Sequence, residues 1–369
     1  MATDYGKRRK ALLDRTEAES FLVFDLDRIM PSGIDRVNLR YLTGYTGEGA
    51  LLVTRDKATL FTDSRYLEQA EKEAPEIPLR HAEDDYVAEI AAAVKESDTQ
   101  SLGFGAWRMT QYVADRLWEA TGIELVADED PVRLMRAVKE PSEVACIREA
   151  TEASERALAR LVEELAPGIN EVEVAFRFGL LMREEGSERV SFEMTVASGE
   201  NSSLPHYRPS LGRRTLQEGD FLLCDFGAVV GGYVSDMTRT FVVGKATDKQ
   251  REIYDWVRRA TDVGLDALRP GVLASDVHRA SSAVIEGSPY KEHIFLSPVG
   301  HGVGLEVHEL PRMGLDRGIR LEPGMVVTME PGIYIPGYGG VRIEDLAVVT
   351  EDGFELLTSY PRDELIEIG

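Results

Sequence analysis

Hydrophobic and polar positions alternate in two different ways along this chain. In the first third, short apolar runs are separated by segments with helical periodicity. FLVFDL (21–26) reads as a short buried strand, and GALLVTRDKATLFTD (49–63) as two strands around an Arg-Asp-Lys turn. Ser64 to Ala74 is helical, Asp85 to Ser97 is an amphipathic helix, and SLGFGAW (101–107) opens another strand. Strands alternating with helices predict a layered α/β sheet.

The pattern changes at DEDPVRLMRAVKEPSEVACIREA, where Pro131 and Pro141 bracket a short charged stretch. A long helix is expected there, with Ser142 as its N-cap and Glu143 close behind. The boundary falls near residues 132–138, giving a first domain over 1–131 and a second over 138–369. From Leu216 onward, β-hairpins are separated by helices. One helix spans Asp248 to Leu268 and stops at Pro270-Gly271; Ser275 is expected to cap the next. Glycine is frequent from 300 to 340, as in turns around a site. No short repeat or low-complexity segment interrupts this order.

Composition narrows the picture modestly. With 43% hydrophobic and 29% charged residues, the chain has the make-up of an ordinary globular protein. A net charge of −23 argues against nucleic acid and anionic membrane as partners. No apolar run approaches the roughly 18 residues of a membrane span. MATDYGKRRKALLDR reads as a charged helix without the apolar core of a signal peptide, so a cytoplasmic location is expected. The two cysteines, Cys146 and Cys224, suit a reducing compartment, and Cys224 lies inside an apolar strand as a small buried hydrophobe.

Charged residues inside apolar strands carry the chemistry. In FLLCDFGAVVGGYVSDMTRTFVV (221–243), two β-rich runs flank Gly231-Gly232, a strong two-residue hairpin signal. With those glycines as the loop, Val230 pairs with Tyr233 and the register sets Asp225 opposite Thr238. Asp236 then shares their face, as a diagonal neighbour of Asp225 roughly 7–8 Å away at the backbone. Carboxylates so placed can converge on two metals about 3.5–4 Å apart. The competing reading is a structural salt bridge to Arg239 or another cation. A three-residue loop would flip the parity.

VGHGVGLEVHE (299–309) sets His301 between two glycines, where backbones can approach closely, with His308 seven residues on. GMVVTMEPG (324–332) carries Glu330 and GVRIEDLAVV (340–349) carries Glu344, each a glutamate in an apolar strand that needs a cation. Arg342 shares the face of Glu344 and can orient a ligand carboxylate or bind substrate; Asp345 points the other way, toward a structural role. Asp225, Asp236, His301, Glu330 and Glu344 thus form an oxygen-rich set with one imidazole. Such a set favours manganese, with cobalt, iron or zinc also admissible. Two close metals imply a hydrolase.

These segments resemble the pita-bread metallopeptidases: methionine aminopeptidases, aminopeptidase P, prolidases and the metal-free creatinases. Residues 138–369 resemble the catalytic domain, a curved antiparallel sheet flanked by helices in an α+β fold. Residues 1–131, with NLRYLTGYTGEGALLV and LFTDSRYLEQA, resemble the smaller creatinase-type α/β domain of the Xaa-Pro enzymes. The resemblance implies that Asp225 chelates one metal and His301 the other, that Asp236 and Glu344 bridge the pair, and that Glu330 binds metal and assists proton transfer. His206, in NSSLPHYRP, matches a proton-shuttling or substrate-binding histidine, and His308 a second substrate histidine. Tyr334 and Arg342 match supporting residues, and Arg342 joins Glu330, His206 and His308 in the catalytic set.

The expected activity is cleavage of the bond between a first residue and proline in di- or oligopeptides, by a homodimer. Between Xaa-Pro dipeptidase (prolidase) and aminopeptidase P, the compact size and an extra loop favour the dipeptidase. For the free proline carboxylate, Arg40 or Arg36 in the first domain is the candidate cation. A binding module of the same fold with vestigial ligands is the alternative class; it should have lost one or more of the five ligands. Two departures from the family pattern stand out. Ser297, followed by Pro298, replaces a histidine often found four residues before the metal histidine. The stretch DLDRIMPSGIDRVNLRY (25–41) is longer than usual and reads as a surface loop or a dimer contact.

Overall fold

Contacts within the chain separate it into two units, Met1–Arg136 and Ala137–Gly369. The computed structural model describes residues 3–26, 37–294, 298–315 and 318–369. Ser297, Arg36 and most of the 25–41 stretch fall outside them. Among the described residues, no helix is long and apolar enough to cross a membrane.

In the first unit, six strands form one mixed sheet in the order Leu79–His81, Ala58–Thr62, Gly49–Val53, Ser20–Asp25, Ser101–Gly105 and Glu124–Asp128. The hairpin of Gly49–Val53 and Ala58–Thr62 pairs antiparallel, and Ser101–Gly105 joins Ser20–Asp25 in parallel. Ser20–Asp25 is buried throughout, as its unbroken apolar run requires. Helix Tyr86–Glu96 starts where the Asp85 side chain accepts the Ala88 N–H. It sends Val87, Ile90 and Val94 into the core beside Leu22, Leu52 and Phe61. The helix expected over 64–74 is shorter, Leu67–Glu73, and NLRYLT forms a helix, Asn38–Thr43, closed by left-handed Gly44.

The second unit begins with the long helix Pro141–Glu164. Its N-cap is Glu140, not Ser142: Glu140 and Glu143 each accept the other's end of the first turn, with Pro141 at the first helical position. Helix Ala274–Glu286 likewise has Leu273 at its cap, which puts Ser275 inside the first turn. Helix Asp248–Asp266 carries a full capping box from Thr247 and Gln250.

Two larger sheets position the site. One runs Ile366–Ile368, Met237–Val243, Phe221–Phe226, Thr195–Ser198. The other runs Glu309–Arg312, His301–Gly302, Val326–Met329, Asp345–Val349, Phe354–Leu356. Helices Pro141–Glu164 and Glu171–Glu184 cover one face of the first sheet, where Leu158, Leu161 and Phe178 meet Leu222, Cys224 and Phe241. Cys224 is a free, buried core residue. Residues of Asp248–Asp266 and Ala274–Glu286 pack against the second sheet through Leu265 and Val277 on Val327, Met329 and Ala347. A hairpin of Gly332–Ile335 and Gly339–Arg342 lies between Glu330 and Glu344 in the chain.

Candidate metal centre

Alternation along two strands aims the first carboxylates. Leu222, Cys224 and Phe226 face the helix-covered core, so Asp225 faces the other way. Met237 and Phe241 face that core too, which turns Asp236 and Thr238 to the side of Asp225. The hairpin register is as its turn predicts: Val230 pairs with Tyr233 and Asp225 with Thr238. Both turn glycines have positive φ, 57° at Gly231 and 78° at Gly232, the conformation a two-residue turn of this kind needs. The ladder is interrupted between these pairings, yet the Ser235 N–H still reaches the Ala228 carbonyl at 2.9 Å, so the register is kept. Asp236 sits in that interruption. A Cβ on Gly227 would lie 1.9 Å from the Ser235 carbonyl oxygen, so only glycine permits it.

Close backbone approach also frames His301. A Cβ on Gly300 would fall 2.1 Å from the Thr328 carbonyl oxygen, and one on Gly302 2.1 Å from that of Leu310. The His301 N–H donates to Thr328 Oγ1 at 3.0 Å. On the ring, Nδ1 lies 3.1 Å from the Gly302 carbonyl. A carbonyl only accepts, so Nδ1 carries the hydrogen and Nε2 is left as an acceptor in the neutral ring. Burial holds the imidazole below its usual pKa and so keeps it neutral.

Nε2 faces Glu330 Oε1 at 3.3 Å and Asp236 Oδ2 at 3.5 Å. Ligand atoms of Asp236, His301 and Glu344 all lie within 4.8 Å of one another. Acceptors therefore converge on acceptors. Asp236 is raised well above the ordinary carboxylate range, first by burial and then by the charges of Glu344 and Asp225. Burial, then Glu330 and Asp225, raise Glu344 in the same way. Glu330 is pushed up to about 7 by burial, with Arg342 opposing. Asp225 Oδ1 and Glu344 Oε1 are buried without a hydrogen-bond partner. Orphaned carboxylate oxygens beside a bare imidazole nitrogen are the donor set of a divalent cation, and the residues fit one.

Arg342 organises the rest. Its Nη2 contacts Asp225 Oδ2 at 2.5 Å, Nη1 donates to the Tyr334 hydroxyl at 2.7 Å and to the Pro205 carbonyl at 3.1 Å, and Nε donates to Thr238 Oγ1 at 3.0 Å. Arg342 is thus the cation that pairs with Asp225. Arg239 turns elsewhere, to Asp345 at 2.7 Å, and Asp345 also pairs with Arg362.

The histidines stand at the edge of this cluster. His206 is exposed and follows Pro205, whose carbonyl Arg342 holds. Its charge bears on Glu330 and on His308. The His308 ring lies 4.3 Å from that of His301, centroid to centroid. Loss of water on the packed face, then His301 and His206, push its pKa down to about 4, although the residue as a whole is open to solvent. Arg40 belongs to helix Asn38–Thr43 of the first unit.

Four further residues escape a reading by motif. Thr238 donates to Glu344 Oε2 at 2.7 Å while accepting from Arg342. Thr328 supports the His301 backbone and approaches Glu330 Oε1 at 3.4 Å. Thr238 stands two positions from Asp236 and Thr328 two positions from Glu330, so period-2 alternation was the available signal. Glu171, fully buried, accepts from Ser198, Asn201 and the Tyr207 hydroxyl, and so pins the segment on both sides of His206. Arg312 pairs in register with His301, its charge bears on His308, and its side chain makes no hydrogen bond or ion pair among the described residues. That placement depends on a cross-strand register that no motif spells out.

Comparison with known proteins adds to this geometry. The sequence profile of metallopeptidase family M24 matches residues 145–351, and that of the creatinase/prolidase N-terminal domain matches 7–138. An uncharacterized peptidase of Bacillus subtilis is 37% identical over 332 residues, covering 89% of this chain and 93% of its own. The structure of an Xaa-Pro dipeptidase from Bacillus anthracis superposes with a TM-score of 0.92 at 34% identity, covering 99% of this chain and 100% of its own. An X-Pro aminopeptidase from Thermotoga maritima gives 0.89 at 31%, covering 98% and 100%.

Proposed function

Since the chain belongs to metallopeptidase family M24, with a creatinase/prolidase N-terminal domain ahead of a pita-bread catalytic domain, we propose that it is an Xaa-Pro dipeptidase. The observation that carries the hydrolytic part is the convergence of Asp236, His301 and Glu344 within 4.8 Å, with Glu330 beside His301. Asp225 completes the set from the Arg342 side. These five would hold two divalent ions, manganese by ligand hardness. When bound, the ions supply Lewis-acid polarisation of the scissile carbonyl and a water acidified enough to attack at neutral pH.

The chain's own groups do the rest. Glu330, 3.3 Å from His301 Nε2 at the edge of the set, is placed to take a proton from the attacking water and pass it to the proline nitrogen as the C–N bond breaks. His206, whose charge bears on Glu330, would share that transfer. His308, neutral at physiological pH, can donate a hydrogen bond to the oxygen that gains charge. Arg342 and Tyr334 act by fixing Asp225 and the Pro205 turn.

Arg312 supports the dipeptide preference. An exposed cation whose side chain has no hydrogen-bond or ion-pair partner among the described residues, set opposite His301, suits the free carboxylate of a C-terminal proline. It replaces Arg40 as the candidate drawn from the catalytic unit itself. The likeness to the Thermotoga maritima aminopeptidase keeps cleavage of longer peptides as the second reading. A comparison of Ala-Pro with Ala-Pro-Ala under manganese decides between them. Faster hydrolysis of Ala-Pro, lost in Arg312→Met, supports the dipeptidase; faster hydrolysis of the tripeptide overturns it. Intracellular location and a homodimeric state belong to the same proposal.

A further inference from the structure

We propose that the buried ion pair Lys139–Glu309 sets the position of His308, and that both are positioning residues for the reaction. The proposal rests on the reading of His308 as a substrate-side group. Both side chains are 1% exposed, with Nζ and Oε2 3.1 Å apart. The other carboxylate oxygen, Oε1, accepts the backbone N–H groups of Leu305 at 2.9 Å and Glu306 at 3.0 Å. One side chain therefore folds the segment before it into a closed turn, and His308 is the residue at its mouth.

The turn is tight and anchored on both sides. A Cβ on Gly304 would lie 2.5 Å from Glu309 Oε2, so glycine is needed for the carboxylate to sit there. The Gly304 carbonyl accepts the Val234 N–H at 2.8 Å, which ties the turn to the aspartate hairpin. Lys139 is held by its own backbone, donating to the Gly324 carbonyl at 2.9 Å. The product of this arrangement is the placement of His308 with its ring against that of His301.

A stabilising role alone explains the pair poorly. Replacing a buried ion pair by well-packed apolar groups is often neutral or favourable for stability. What an apolar pair cannot supply is direction. The lysine fixes one oxygen of Glu309, and the other is thereby aimed at two N–H groups of the turn. Without Nζ the buried carboxylate loses its counter-charge and the turn loses its template.

The test combines kinetics with a readout that needs no substrate. In the zinc-loaded enzyme, histidine-selective NMR reports the His308 ring, identified by the signals missing from His308→Gln. Lys139→Met and Glu309→Gln should each shift those signals. In the manganese-loaded enzyme they should lower kcat for Ala-Pro by about tenfold to a hundredfold, at unchanged bound metal. Lys139→Arg should restore most of the loss. Unmoved His308 signals, or a kcat within about twofold of the parent, overturn the proposal. Should Lys139→Met fail to fold, Glu309→Gln, which keeps the shape of the side chain, gives the same two readings. If the parent chain cleaves no Xaa-Pro substrate, the functional reading falls, while the NMR shifts still decide the positioning role.

Discussion

The Thr238 hydroxyl accepts one hydrogen bond from Arg342 and gives one to Glu344, so a small neutral side chain connects the guanidinium that orients Asp225 to another carboxylate of the centre. Thr238→Val keeps the branched shape and removes both bonds. Outer partners of this kind are worth about 10- to 100-fold in metal affinity. The variant should lose metal affinity in that range by competition with a chelating dye, with its fold intact by circular dichroism. Asp236→Asn and Glu344→Gln act on the proposed ligands themselves and should reduce both bound metal and turnover to background. Substantial turnover in either variant would remove the proposed two-metal site.

At the level of elements, the aspartate hairpin depends on an interruption as much as on its strands. Gly227 has no room for a methyl group, being packed on the Ser235 carbonyl and the Ser191 hydroxyl. Gly227→Ala should destabilise the fold by about 1–3 kcal/mol, as overpacking does, and displace Asp236. A thermal melt matching that of the parent would argue against so close a fit. Glu171 does comparable work on another element. Glu171→Gln weakens the bonds to Ser198, Asn201 and Tyr207 and should lower kcat without changing metal content, because His206 and not a ligand is released.

Much of this was legible in the residues. Gly231-Gly232 set the hairpin parity, and with it the shared face of Asp225 and Asp236. Gly300 and Gly302 marked the close approach at His301. The caps at Glu140 and Leu273 were not legible as such, because Ser142 and Ser275 have the better side chains for capping while the chain enters each helix two residues earlier. Arg312 and the Lys139–Glu309 pair were invisible for another reason. Each depends on segments brought together by packing, and neither the place of Arg312 opposite His301 nor the partner of Lys139 leaves a periodic trace.

For the whole molecule, the clustered carboxylates predict how metal, protons and stability are linked. Asp236, Glu330 and Glu344 all have folded-state pKa values raised above the ordinary carboxylate range near 4.5. The folded protein therefore holds more protons than the unfolded chain in the window that closes, for Glu330, at about 7. Stability from these groups is fully present below about 4.5 and is lost as pH rises through the folded values. Chelator-treated protein should melt at a lower temperature at pH 7.5 than at pH 6. Added manganese should reverse the trend, since ligation requires the deprotonated carboxylates, and should add about 2.7 kcal/mol at a hundredfold excess over Kd. A metal-induced shift in Tm that is no larger at pH 7.5 than at pH 6 would contradict the linkage.

The positions that converge at the centre come from the aspartate hairpin, the glycine-framed strand at His301 and the two ends of the hairpin between Glu330 and Glu344. They are far apart along the chain. An ion held there acts as a removable cross-link: it closes several long loops at once, and each closure restricts the routes by which the second unit can open locally. Loss of metal would then mark the protein for destruction as well as silence it. Proteolytic nicking and amide exchange should both quicken around strands Phe221–Phe226, Val326–Met329 and Gly339–Arg342 when the ion is withdrawn, while the sheet of the first unit keeps its protection.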